Sequence, residues 1–138
     1  MSIHPTFRSF NLALERYTRQ DVLEFQKGRM TVIALEVMKG LTELTPVDTG
    51  RAKGNWQFTV GGPAEGEVER LDPSAAGTPS LAGQVDVLTK AQEWKPGDWM
   101  WFHNGVPYIG VLNDGTDTRE AHHMLELTVE RIKNWVGS

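Results

Sequence analysis

The stretch MTVIALEVMKGLTELTPVDTGRAKGNWQFTV, Met30–Val60, carries a change of period that decides the fold. In its first half Met30, Ile33, Val37, Leu41 and Leu44 recur at gaps of three and four, which puts them on one face of a helix. Ala34 and Met38 widen that stripe. Glu24, Lys27, Lys39 and Glu43 lie largely off it. The pattern predicts a long helix from about Gln20 to Leu44, ended by Pro46, because the residue before a proline is pushed out of the α region. Gly28 weakens that helix by up to about 1 kcal/mol relative to alanine and marks a place for a bend. After the turn Pro46–Arg51 the period becomes two. Trp56, Phe58 and Val60 alternate with Asn55, Gln57 and Thr59, as in a half-buried strand.

Outward from this core the signals are shorter. Upstream, Phe7, Phe10 and Leu14 suggest a shorter helical segment that packs back. Downstream, Gly61-Gly62-Pro63 stops the strand. Residues 62–79 are rich in Gly, Pro, Ala and Ser, with room for a short strand around Val68 to Leu71. A loop of that length is uncommon in a compact domain unless it is functional or disordered, so it reads either as a flexible arm that orders against a neighbour or as a plain mobile loop. Ser80 is placed to cap a helix running to about Trp94, with Leu81, Val85, Leu88 and Gln92 on one face and Ala91 beside it. Lys95–Asp98 is a turn, and Trp99 to His103 an aromatic strand. Pro107 fits a first helical position and Gly115 a helix stop. Asp117 and Glu120 have the spacing of a capping box for a last helix, Arg119 to Val136. Its face would be Ala121, Met124, Leu125, Thr128, Ile132 and Trp135. The sum is a single α+β domain over residues 1–138. It has a small antiparallel or mixed sheet packed against a long N-terminal helix and a C-terminal helix.

Composition narrows the function. The chain has 138 residues, no cysteine and a net charge of -4, so it gives no sign of thiol chemistry or of a cationic duplex-binding face. No apolar run approaches the roughly 20 residues that span a bilayer, and Met1 to Phe10 carries no hydrophobic signal core. The expected site of synthesis is the cytoplasm. The five tryptophans are expected mostly in the core.

Three constellations bear on chemistry. Asp48-Thr49-Gly50 spells the aspartic-protease triplet, which needs two aspartates sharing a proton. Here it leaves a long helix through a proline, and Arg51 follows where a small residue is expected. Gly50-Arg51-Ala52-Lys53-Gly54 has the glycines and cations of an anion cradle but lacks the Gly-Lys-Ser/Thr ending of a nucleotide loop. A structural turn is the better reading, with Arg51 bonded to a carboxylate or carbonyl. His122 and His123 point about 100° apart on a helix, so only His122 with Glu126 could share an ion, and with His103 they fall short of a closed site. No catalytic residue, cofactor or metal is assigned.

Thr45-Pro46-Val47-Asp48-Thr49-Gly50-Arg51-Ala52-Lys53-Gly54-Asn55-Trp56 resembles a block of the head–tail joining, or tail-completion, neck proteins of long-tailed phages. Gly97-Asp98, an aromatic strand, then Asn104 with Pro107-Tyr108, is similar to the family's Gly-Asp … Asn-x-x-Pro-Tyr segment. Leu112-Asn113-Asp114-Gly115-Thr116 resembles its Leu-Glu-x-Gly ending, and Ala121 with Met124, Thr128 and Val129 its last helix. The matching blocks keep their order over about residues 20–133. Asn113 stands where an acidic residue is usual, and His122-His123 where proline and glycine are. The resemblance implies a non-enzymatic virion protein, assembled in the host cytoplasm into a homo-oligomeric ring, a hexamer, in the neck. Its partners would be the head connector or stopper protein and the tail terminator or tail tube protein. Genomic DNA would pass through the lumen without sequence-specific binding. The alternative within the same class is the tail terminator ring that caps the tail tube; the distant alternative is a protease using Asp48.

Overall fold

Helix α1 runs Phe7–Leu44 without a break, longer at its start than the periodicity predicts. The computed structural model describes residues 7–137, with side chains from residue 20 onward. Phe7, Phe10 and Leu14 belong to this one helix, not to a separate segment, and their packing lies outside the described residues. Gly28 does not interrupt it. The cost of one glycine is small against the hydrogen bonds that continue on both sides. The buried stripe centres on Ala34, Met38 and Leu41, one residue round from the expected face, with Val37 and Leu44 at its margin.

The remaining elements are α2 (Arg51–Gly54), β1 (Trp56–Val60), α3 (Leu81–Lys90, continued by a 3-10 turn Ala91–Glu93), β2 (Met100–Asn104), α4 (Ile109–Asp114) and α5 (Met124–Val136). The architecture is α+β. β1 and β2 pair antiparallel in the register Trp56↔Asn104 to Val60↔Met100. Phe58 and Phe102 meet across the pair with ring centroids 5.2 Å apart. Trp56, Phe58, Val87, Ala91 and Met124 close over Met38 and Leu41 to form the core.

A two-stranded sheet leaves the outer edge of β1 without a ladder, and side chains fill it. Arg70 donates from Nη2 to Trp56 O (2.7 Å) and from Nε to Gly54 O (2.8 Å). Asp86 of α3 accepts from Phe58 N (3.4 Å). Asn55 Oδ1 accepts from Val68 N (2.8 Å), and Gln57 Nε2 donates to Gly66 O (3.0 Å). Residues 66–72 therefore run beside β1 without becoming a strand, because side chains replace the backbone ladder. The start of the polar face is buried rather than solvated: Asn55, just before β1, and Gln57 are both covered, while Thr59 is half-buried.

The stretch 62–79 thus has partners within its own chain. Asp72 N donates to Gly50 O (2.9 Å). Lys53, almost wholly buried, donates to Ala75 O (3.1 Å) and Ser74 O (3.5 Å). At its far end Ser80 N donates to Thr42 Oγ1 (3.0 Å), and Ser80 caps α3 by accepting from Gly83 N (3.1 Å). The inward face of α3 is Gly83, Val87 and Ala91; Leu81, Val85 and Leu88 face outward.

The last helix begins at Met124, not Arg119, and no capping box forms at Asp117 and Glu120. Residues 116–119 close a tight turn in which Thr116 N donates to Arg119 O (3.0 Å). His122 N and His123 N then donate to Leu112 O and Asn113 O (both 2.9 Å), so this backbone caps the end of α4 and cannot be helical. α5 is capped from a distance: Leu125 N donates to Asn113 Oδ1 (3.0 Å). Pro107 lies in the turn before α4, whose first residue is Ile109; Gly115 ends α4 at φ 76°, as expected. Of the tryptophans only Trp56 and Trp94 are buried, while Trp99, Trp101 and Trp135 are exposed, against the expectation of a mostly buried set.

Candidate functional site

The turn after α1 becomes a site because three later segments meet it. Pro46–Ala52 lines one side of a cleft of about 740 Å³; Tyr108, Leu112, Arg119 and His122 line the other. Six residues singled out in the sequence come together here: Pro46, Asp48, Thr49, Gly50, Arg51 and Tyr108. Asn55, Trp56 and Asn104 sit in the fold behind them. Pro107 precedes Tyr108 on the exposed turn, and Gly115 stands at the far end of α4.

Several motif residues have an identifiable task. Gly50 takes φ 84°, a left-handed conformation that favours glycine, and its carbonyl accepts from both Gly54 N and Asp72 N (2.9 Å each). A Cβ on Gly54 would lie 2.1 Å from Arg70 O, so only glycine lets the 66–72 stretch pass. Thr49 Oγ1 accepts from Arg51 N (3.3 Å), closing the turn. Asn55 Nδ2 donates to Arg51 O (2.8 Å) and Asn104 Nδ2 to Ala52 O (2.8 Å), so two amides hold α2 against both strands. Trp56 Nε1 donates to Thr45 Oγ1 (2.8 Å), which donates to Leu41 O (2.6 Å), locking β1 to the end of α1.

Arg51 forms a two-pronged pair with Glu67, Nε to Oε2 at 2.7 Å and Nη2 to Oε1 at 2.5 Å, and lies 5.5 Å from the Tyr108 ring centroid. The hydrogen bonds from Arg51 hold the Glu67 carboxyl below the usual carboxylate range. Burial pushes the Asp72 carboxyl up. Hydrogen bonds from the Ser74 and Ser80 hydroxyls and Ser74 N–H, with the Lys53 charge, outweigh it and hold Asp72 low.

This arrangement leaves little for the other chemistries. Both cations of the 50–54 turn are engaged, Arg51 by Glu67 and Lys53 by carbonyls, and α2 has a single turn. Asp48 is exposed and no second carboxylate lines the cleft, so one chain does not assemble an aspartate pair. His122 and Glu126 do not share a helix, because α5 starts between them. His123 is nearer, Nδ1 to Glu126 Oε2 at 3.9 Å, and His103 Nε2 lies 3.0 Å from Gly66 O. Among the described residues no three metal-ligating side chains gather, and no helix is long and apolar enough to cross a membrane.

Five residues that matter here carried weak signals or none. Glu67, Arg70 and Asp72 are charges inside a Gly/Pro/Ala/Ser stretch, a hint that it is anchored. Lys53 reads as a surface cation until its burial is seen. Asn113, departing from the acidic residue of the resembled motif, is the remote cap of α5. Comparison with protein families, with curated proteins and with solved structures finds no match.

Proposed function

We propose that this chain is a structural subunit of a tailed-phage virion, forming a ring in the neck that joins the head connector to the tail and lets DNA pass. The observation that carries the reading is how the motif residues are used. Gly50, Gly54, Asn55, Trp56 and Asn104 satisfy backbone groups and close approaches within the fold. A motif that resembles neck proteins and in which these residues shape the chain fits a subunit whose work is docking. The exposed Trp99, Trp101 and Tyr108 add aromatic surface of the kind enriched at interfaces. The mild net negative charge suits a lumen in which DNA slides without sticking.

Deleting the gene from the parent phage tests the proposal. Full heads and separate, complete tails are expected, and a reconstruction of the wild-type neck should hold a ring of this chain. Normal yields of joined particles after deletion, or a neck map without the chain, overturn it. Peptide cleavage by the pure protein that is abolished by Asp48→Ala would favour the protease instead.

A further inference from the structure

Helix α3 turns an apolar ridge to solvent. Its inner face, Gly83, Val87 and Ala91, packs on the core, while Leu81, Val85 and Leu88 are 74, 53 and 49 % exposed. These three stand at i, i+4 and i+7, the anchor spacing of an amphipathic helix that lies in a groove. Such a groove exists elsewhere on the same chain. Phe25, Gly28, Val32 and Ile33 of α1, with Trp135 and Val136 of α5, line a cleft of about 650 Å³. Phe25, Val32, Trp135 and Val136 are 65, 47, 44 and 52 % exposed.

Gly28 supplies an independent pointer. It sits inside a long helix, at a cost of up to about 1 kcal/mol relative to alanine. Among the described residues nothing calls for it: its φ is ordinary, and a Cβ there would meet no described atom within 4 Å. A second helix crossing the groove at Gly28 would need that missing Cβ.

We propose that α3 of one copy docks in the α1/α5 groove of the next, with Leu81, Val85 and Leu88 facing Phe25, Gly28 and Val32. Area argues for a second copy as the occupant. At roughly 200 Å² per large side chain, the seven exposed residues present on the order of 700 Å² of apolar surface. That is about the apolar share of an interface of about 1,200 Å², the lower end of the range for stable complexes. Ridge and groove are different patches, so the contact is heterologous, the type that generates rings. The inference deepens the ring reading and rests on it for closure of the assembly.

The chain contains no cysteine, which makes the test direct. Glu24→Cys, which lines the same groove and leaves Gly28 untouched, and Val85→Cys both lie on exposed surface, and circular dichroism and solution mass establish that each variant folds. The two full-length variants are mixed at equal, near-millimolar concentration in a thiol–disulfide buffer that equilibrates the pairs. Random collision gives mixed dimers as half of the cross-linked product; the proposal expects them in several-fold excess over either homodimer. Leu81→Asp in the Val85→Cys chain should remove that excess. A statistical product, no product, or a homodimer excess at Glu24 overturns the proposal. A statistical product from a chain that does occupy the neck leaves the ring reading standing and sinks the interface. A mixed-dimer excess from a chain absent from the neck does the reverse.

Discussion

Two glycines, one buried and one exposed, separate what the fold needs from what the surface needs. Adding a methyl at Gly54 puts it 2.1 Å from Arg70 O, in a place where backbone, not a flexible side chain, must yield. Gly54→Ala should cost about 1–3 kcal/mol, the usual penalty for forced overpacking. Gly28→Ala meets nothing and should stabilise the free chain by up to about 1 kcal/mol. Urea denaturation of the two variants checks both signs, and equal effects would refute the distinction. The charges beside Gly54 set a pH dependence. Glu67 and Asp72 are both held below their ordinary carboxylate values when folded. The unfolded chain therefore binds their protons more readily, and stability rises with pH through that window. The contribution is complete above the unfolded value, about 4, and is lost as pH falls through the lower folded values. The double variant Glu67→Gln, Asp72→Asn should lose stability less steeply than the parent between neutral pH and about pH 3. Identical slopes would mean that the stretch is not held by these carboxylates.

At the scale of elements, the two caps of the helical C-terminal region show what a sequence can and cannot disclose. Asp117 and Glu120 have the right spacing for a local cap, yet the chain there is engaged in covering the end of α4. The working cap is Asn113, twelve residues before the amide it serves, and no local rule reaches that far. Asn113→Ala should cost about 0.5–2 kcal/mol, the range for loss of a helix cap, and should speed amide exchange in the first turn of α5. Unchanged exchange there would assign the cap elsewhere. Ser80 could be read in advance because its partner, Gly83 N, lies three residues on. The long helix, both strands and the α+β class were legible for the same reason: period and proline act locally. The course of 62–79 was not, because Arg70, Asn55 and Lys53 hold it through long-range contacts. The outward turn of Leu81, Val85 and Leu88 was hidden too, since a stripe does not say which side meets the core. In the candidate site, Thr49 and Gly50 were legible as turn residues, whereas the pairing of Arg51 with Glu67 needed the folded chain. Hydrogen exchange on the free protein should find the Val68 and Asp72 amides protected and those of 62–66 fast, given the acceptors at Asn55 and Gly50. Uniformly fast exchange across 62–79 would mean that these contacts do not persist.

At the scale of the whole molecule, the tryptophans divide into two populations with opposite expected phenotypes. Trp56 is buried, and its indole N–H is tied to Thr45 at the junction of α1 and β1. Truncating it to alanine removes a large core side chain and a buried hydrogen bond, and should cost about 3–5 kcal/mol. That is a large part of the 5–15 kcal/mol that holds an ordinary domain together, so the variant should be poorly folded in isolation. Trp99 immediately precedes β2 and is 72 % exposed, lying only loosely against Trp101 at 6.3 Å between ring centroids. Trp99→Ala removes little that the fold uses and should change stability by no more than about 0.5 kcal/mol. A docking subunit gives an exposed indole a role, since tryptophans are enriched among the residues that dominate interface energetics. The neck reading therefore expects Trp99→Ala to give a stable, soluble chain that enters particles poorly. The two measurements needed are a denaturation midpoint and the amount of chain in purified virions. A stable Trp99→Ala chain incorporated at the parental level would show that this face meets no partner. A destabilised one would show that the tryptophan belongs to the fold after all.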